Sequence, residues 1–265
     1  HDMGWYSYRT KSEKRGAYYR QIIESLKRST AIIVCSEFSK SEMIKCLPFA
    51  REKISVINEG VSDRFRPIEM SEIPEEIHNR YPWEDYILYI GVLGEPRKNV
   101  DLLVDSFAYL KKRKKIKEKL VLCGGVSNRI APLLRHIKKI NLPDDIMVHS
   151  KWIPDDDIPY IYNKARIVLF PSLYEGFGLP VLESMACGKP VITSNISPLK
   201  EIASDAAILV DPRDQKALSD SIVMLLTDDR LYNTMVERGL KRSKEFTWTK
   251  TAQETLKLYE KCYAG

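Results

Sequence analysis

The sequence predicts an α/β fold: a parallel sheet covered by helices on both faces, preceded by part of a second unit of the same kind. Three observations predict it. Short β-branched apolar runs alternate with helical patterns along nearly the whole chain, the order that parallel strands joined by crossover helices require. Several of these runs are apolar almost throughout, as strands covered on both faces are. Apolar residues make up 44% and charged residues 29% of the 265 positions, the balance of a globular chain with a substantial core.

The strands are read, in order, at AIIVCS (31–36), KISVINEG (53–60), YILYIG (86–91), KLVLCGG (119–125), IMVHS (146–150), RIVLFPS (166–172), PVITS (190–194) and AAILV (206–210). Between the first two, Ser39 and Glu42 have the S-x-x-E spacing of a capping box that opens a helix. From Asn99 to about Lys112, Val100, Leu103, Val104, Phe107 and Leu110 recur at helical spacing. Two more helices are read at Gln215–Leu226 and Arg230–Lys244, and a last one carries Phe246, Trp248, Leu256, Tyr259 and Cys262 along one face. Residues 65–84, with Pro67, Pro74 and Pro82 and no periodicity, read as a linker. Residues 85–245 hold strands enough for one complete Rossmann-like domain. Residues 1–64 hold only two and read as a partial first domain, to which 246–265 would return as a crossover helix.

Composition narrows the function. No stretch reaches the ~18–20 apolar residues of a membrane span, and the opening HDMGWYSYRTKSEKRG lacks the apolar centre of a signal peptide. Five cysteines without a CxxC pair fit a reducing compartment, so a cytoplasmic protein is expected. Four dispersed histidines offer no metal-ligand spacing, and neither a metal nor another cofactor is expected. The net charge is +6, and residues 111–119, KKRKKIKEK, carry seven bases in nine positions. That run reads either as a contact from Lys111 to Lys119 with an anionic membrane face or as the solvated end of a helix. No aromatic residues interleave with it, which argues against nucleic acid.

The chemistry concentrates in RIVLFPSLYEGFGLPVLESMACGKPVITS (166–194): strand, loop, helix, glycine stop, strand. Gly176 and Gly178 allow close backbone approach to a ligand. Pro180 suits the first helical position, and Gly188 with Pro190 suits the helix stop. The free amides of the helix start favour an anion such as a diphosphate, at the strand ends where such sheets bind ligands. Glu175 before the helix and Glu183, read in its first turn, could both face that crevice and accept hydrogen bonds from sugar or ribose hydroxyls.

EGFGLPVLE resembles the E-x7-E motif of retaining glycosyltransferases of the GT-B fold, in particular the large family of bacterial and archaeal mannosyl- and glucosyltransferases. The resemblance spans nearly the whole chain, through SVINEGVSDRFRP, YILYIGVLGEPRKNVDLLVDSF, KWIPDDDIPYIYNKARIVLFPS, TSNISPLKEIASDAAILVDPRD and the terminal FTWTKTAQETLKLYEKCY. It implies transfer of a sugar from a nucleoside-diphosphate donor to an acceptor hydroxyl of a glycan, a lipid-linked molecule or a small molecule, with retention of configuration. The lysine-asparagine phosphate loop and NEGV look most like mannosyltransferases, which points to GDP-mannose ahead of a UDP-sugar. Glu183 would bind the ribose and Glu175 the transferred sugar. The amides of Gly176, Phe177, Gly178 and Leu179 would hold the sugar and distal phosphate, beside Gly91 at the end of its strand. Arg97 and Lys98 would neutralise the departing diphosphate, taking the place of a metal. Many relatives carry that arginine directly after the strand glycine, where this chain has Val92, so Arg97 is a substitute assignment. Trp152 and Ile153 fall where relatives hold the base through main-chain contacts.

Asp155-Asp156-Asp157 spells a metal-type DxD but follows Pro154 and reads as a helix start. His1-Asp2 resembles a catalytic dipeptide of the family's first domain, and reads equally as the residue of a purification tag. A nucleotide-sugar-binding module without transferase activity is the rival reading. A dehydrogenase is not, because no G-x-G-x-x-G follows a strand.

Overall fold

The computed structural model describes residues 13–113 and 115–264, with side chains from residue 20 onward. His1 and Lys114 lie outside the described residues.

The first unit begins with α1 (Glu13–Arg28), β1 (Ile32–Val34) and α2 (Glu37–Cys46), and continues through a 3-10 turn into β2 (Ile54–Val56). β1 and β2 pair in parallel, with Ile32 opposite Ile54 and Val34 opposite Val56. Their inner residues Ile32, Val34 and Ile54 pack with Leu47 and Ala50. The helix after β1 starts three residues earlier than the S-x-x-E spacing suggested. β1 stops at Val34, so Ser36 is left extended (φ −154°, ψ 159°) and becomes the N-cap, its hydroxyl accepting from the Ser39 amide. Glu42 instead pairs with Lys45 at 2.8 Å on the surface.

Residues 65–84, expected as a linker, are packed rather than solvated. Pro74 caps a short helix, α3 (Glu75–Arg80), and Phe65, Ile73, Ile77, Tyr81 and Trp83 lie buried against one face of the main sheet. Ile73, Ile77 and Tyr81 recur at four-residue spacing, but Pro74 and Pro82 confine that pattern to one short helix, too brief to stand out in the sequence.

The main sheet has six parallel strands: β3 (Tyr86–Ile90), β4 (Lys119–Cys123), β5 (Ile146–His149), β6 (Ala165–Phe170), β7 (Val191–Ser194) and β8 (Ile208–Val210). Their spatial order is β5-β4-β3-β6-β7-β8, the doubly wound Rossmann order, which reverses between β3 and β6. Alternate residues face opposite sides, as a pleated strand dictates. Ile87, Tyr89, Leu120, Leu122, Ile167 and Leu169 join one core with α4 (Val100–Lys112) and α9 (Gln215–Thr227). Leu88, Val121, Cys123 and Val168 join the other, with α6 (Ile158–Lys164) and the 65–83 segment. The remaining helices are α5 (Ile130–Ile140), α7 (Leu179–Ala186), α8 (Leu199–Ala203), α10 (Asp229–Ser243) and α11 (Trp248–Ala264).

The chain's end returns to the first unit. The Val61 amide donates to the Phe246 carbonyl at 3.0 Å, and the Thr251 hydroxyl to the Asn58 carbonyl at 2.7 Å. Phe246 is buried, whereas no residue of α11 is, and Trp248, Leu256 and Tyr259 of its apolar face are exposed. Among the described residues no helix is long and apolar enough to cross a membrane.

Candidate active site

Two loops meet at the carboxyl ends of β3 and β6, where the strand order reverses. Between β3 and α4, a 3-10 turn, Pro96–Lys98, sets Arg97 and Lys98 side by side. Asn99 comes next in the left-handed conformation (φ 57°), which asparagine tolerates better than most residues. Its side-chain amide donates to the carbonyls of Pro171 (3.0 Å) and Pro212 (2.7 Å), tying this turn to the ends of β6 and β8. The Leu173 amide donates back to the Arg97 carbonyl at 2.7 Å. The loops are thus fixed to each other by main chain before any charge is considered.

The charges complete the junction. The Lys98 ammonium lies 2.6 Å from Glu175 Oε1 and 5.0 Å from the centre of the Phe170 ring. An Arg97 guanidinium nitrogen lies 3.3 Å from Glu175 Oε2 and donates to the Tyr174 carbonyl at 3.2 Å. Glu175 is 7% and Lys98 8% exposed, so the acid is held by two cations away from most solvent screening. The cluster keeps one net positive charge. Burial raises the Tyr89 hydroxyl's pKa, and the nearby Glu175 carboxylate raises it further. Gly91 closes β3, its amide bound to the Cys123 carbonyl, and a Cβ there would sit 2.8 Å from the Tyr89 hydroxyl.

Gly178 caps α7 with φ 129°, a conformation that favours glycine, and a Cβ there would come 2.7 Å from Leu199 Cδ2. Among the described residues, the amides of Gly176, Phe177, Gly178 and Leu179 donate to no group of the protein. Amides so placed at a helix start are suited to an anion. The Phe177 side chain turns instead into a buried cluster with Cys35, Leu182, Ile202 and Phe246. α7 begins at Leu179, so Pro180 is its second residue rather than its first. It ends in a Schellman arrangement: Gly188 (φ 67°) donates to the Met185 carbonyl and Lys189 to that of Ser184, each at 3.0 Å.

Glu183 is consequently the fifth residue of α7, one residue further in than the sequence suggested, and it has its own partners. Tyr162 donates to its Oε2 at 2.8 Å. Burial pushes the Glu183 carboxyl above the usual range, opposed by the Tyr162 hydrogen bond and by Arg64. Asp155 of the 152–157 segment adds to the upward shift, which places that segment within electrostatic reach. There Ile153 is buried in the sheet core and Trp152 is 79% exposed. Glu175 and Glu183 thus flank α7's start with separate partners, one cationic and one phenolic. The aspartate triplet disperses: Asp156 is exposed, whereas Asp157 caps α6 and binds Arg80 (2.6 Å) and Tyr81 (2.8 Å). Among the described residues no group of three or more His, Cys, Asp or Glu side chains could hold a metal ion.

Sequence reading missed Asn99, Tyr89 and Tyr162 as members of the site, together with Ser36 and Ser39. The left-handed turn at Asn99 has no periodic signal, and the tyrosines read as ordinary core. A cavity of about 590 Å³ opens at the other ends of β3 and β6 beside Lys164, Arg166 and Lys189. A smaller one of about 280 Å³ adjoins the site, bounded by Leu173, Asn195, Asp211, Pro212 and Arg213.

Sheet order, loops and helix placement are those of an α/β protein of the GT-B type. The sequence profile described as Glycosyl transferases group 1 matches residues 72–242, and the chain belongs to that family. It is 33% identical over 242 residues to O-antigen chain mannosyltransferase B of Escherichia coli, covering 91% of this chain and 63% of that protein. It is 29% identical over 265 residues to the MMP alpha-(1->4)-mannosyltransferase of Mycolicibacterium hassiacum, covering 98% of this chain and 58% of that protein. The chain therefore spans less than two thirds of these relatives. Among solved structures, sucrose-phosphate synthase from Thermosynechococcus elongatus superposes with a TM-score of 0.79 at 23% identity, over 100% of this chain and 67% of that one.

Proposed function

We propose that the chain binds a nucleoside-diphosphate sugar, GDP-mannose by preference, and moves the sugar to an acceptor hydroxyl with retention of configuration. The observation that supports this most is the meeting of Lys98, Arg97 and Glu175 beside the uncommitted amides of Gly176–Leu179, at the switch point of the sheet. Two names among its relatives, both mannosyltransferases, support the choice of sugar.

In this reading the diphosphate lies against the start of α7. Its charge is met by Arg97 and Lys98 and by the helix-start amides, so the positive charge a metal would supply comes from side chains. Glu175 faces hydroxyls of the transferred sugar, and Glu183 accepts from the ribose. The bond from the anomeric carbon to the diphosphate breaks, and one to the acceptor oxygen forms on the face just vacated. A diphosphate oxygen takes the acceptor's proton. The acceptor is a glycan, a lipid-linked molecule or a small molecule. The reaction is placed in the cytoplasm, with the outward bases of the 111–119 run available to an inner membrane face. Lys111 itself is committed to Asp145 at 2.7 Å.

Calorimetric titration with UDP, GDP and ADP, repeated on Glu183→Ala, tests this. Saturable binding of one nucleotide, GDP first, that weakens at least about tenfold in the variant supports it, since a ribose bound to a charged group contributes about 1.5–3 kcal/mol. Binding unchanged by the substitution would remove Glu183 from the site.

A further inference from the structure

The carbonyl of Gly176 is held from outside its own domain. The Ser36 hydroxyl lies 2.7 Å and the Ser39 hydroxyl 3.1 Å from this one oxygen, and the Cys35 thiol stands at 3.4 Å. Ser36 serves two neighbours at once. Its oxygen accepts from the Ser39 amide at 3.0 Å as the N-cap of α2, and of the two acceptors within reach of its proton the Gly176 carbonyl at 2.7 Å is nearer than the Ser39 hydroxyl oxygen at 3.1 Å. Both serines are almost wholly buried. The next side chain is anchored too, with the Phe177 and Phe246 rings edge to face at 6.0 Å.

A trans peptide is planar, with its C=O and N–H on opposite sides. Pinning the Gly176 carbonyl to α2 therefore turns the Phe177 N–H away from the first unit. Without those hydroxyls, a glycine-flanked peptide is free to rotate by flipping its two adjoining torsions, and a carbonyl oxygen could face an incoming phosphate instead.

We propose that Ser36 and Ser39 are positioning residues that set the orientation of the Gly176–Phe177 peptide, so that the first unit aligns the amides that receive the donor's distal phosphate. This rests on the reading of residues 176–179 as the seat of the diphosphate. It gives the two serines a part in donor binding although they need not touch the donor. It also couples the relative placement of the two units to donor affinity.

The test compares nucleoside mono- and diphosphates. The unaltered chain, Ser39→Ala and Ser36→Ala/Ser39→Ala are titrated with UMP, GMP and AMP and with UDP, GDP and ADP, and their melting temperatures are recorded. Alanine is favoured inside a helix, so Ser39→Ala keeps α2 even if the double variant does not fold. The proposal predicts that diphosphate affinity falls about tenfold in the double variant and measurably in Ser39→Ala, while monophosphate affinity stays within about twofold. Equal loss for mono- and diphosphates, or no loss in Ser39→Ala, would overturn it. Failure of the unaltered chain to bind any of the six nucleotides would instead overturn the reading of the site, and this proposal with it.

Discussion

Lys98 and Glu175 form a buried ion pair of 2.6 Å that joins the loop after β3 to the loop after β6. Because Arg97 also reaches Glu175, loss of the lysine leaves the acid one cationic partner, whereas loss of the acid leaves Lys98 buried with no other anionic partner among the described residues. Glu175→Gln is therefore expected to cost about 3 kcal/mol and Lys98→Met less. The double variant should cost less than the sum, with a coupling of about 2 kcal/mol. Urea denaturation of the four proteins measures it, and additive costs would show that the pair contributes nothing of its own.

Catalysis asks more of the same cations. Lys98→Ala and Arg97→Ala should each lower turnover by about a hundredfold or more, as loss of a group that meets charge developing on the leaving oxygen does. The readout is nucleoside diphosphate released with acceptor present. Turnover undiminished in both would exclude them as the leaving group's partners.

Glu183 sets stability against binding. Its carboxyl is raised above the ordinary value by burial, so its contribution to stability is fully present below the unfolded-state value. It is lost as pH rises through the folded-state value. Glu183→Gln, which keeps an acceptor for Tyr162 without the charge, should melt higher than the unaltered protein at pH 8. The difference should vanish towards pH 4, while nucleotide affinity falls at pH 8 and approaches that of the unaltered protein as the carboxyl is protonated. Melting curves across that range decide it, and a variant less stable at pH 8 would reverse the assigned sign.

Asn99 holds its turn by two means, a left-handed backbone and two side-chain hydrogen bonds. Asn99→Ala loses both and should cost about 3 kcal/mol. Asn99→Gly keeps the backbone freedom and should cost about 1 kcal/mol less. Equal costs would mean that the backbone contributes nothing.

Asp157 and Asp156 differ although they are neighbours. Asp157→Asn weakens buried bonds to Arg80 and Tyr81, whose hydroxyl is pushed up to about 12 by burial and then by Asp157. About 2 kcal/mol of stability should be lost. Asp156→Asn, at an exposed position, should change stability by less than about 0.5 kcal/mol. Thermal denaturation distinguishes the two, and similar effects would undo the separation.

Much of the fold is legible in the sequence. All eight strands can be placed as short apolar runs, most plainly where a strand is buried on both faces, as in Ile87–Tyr89 or Ile167–Leu169. The stop at Gly188 is legible because a left-handed residue shortly before a proline has few alternatives. Packing decides the rest. Residues 65–83 bury Phe65, Ile77 and Tyr81 with a helical spacing confined to one short helix between Pro74 and Pro82, and the rest of their shape conforms to the sheet face they cover. The start of α2 moves to Ser36 because strand length, which spacing does not encode, fixes where the cap falls. Within the site, the charged residues stand out through the motif around them, whereas Tyr162 and the two serines reach it only through long-range folding.

The most direct measurement is a crystal structure of the chain with GDP or GDP-mannose. Phosphate oxygens are expected within hydrogen-bond distance of amides in Gly176–Leu179 and of Lys98, with the ribose against Glu183. A nucleotide seated elsewhere, such as the larger cavity beside Lys164 and Lys189, would contradict it.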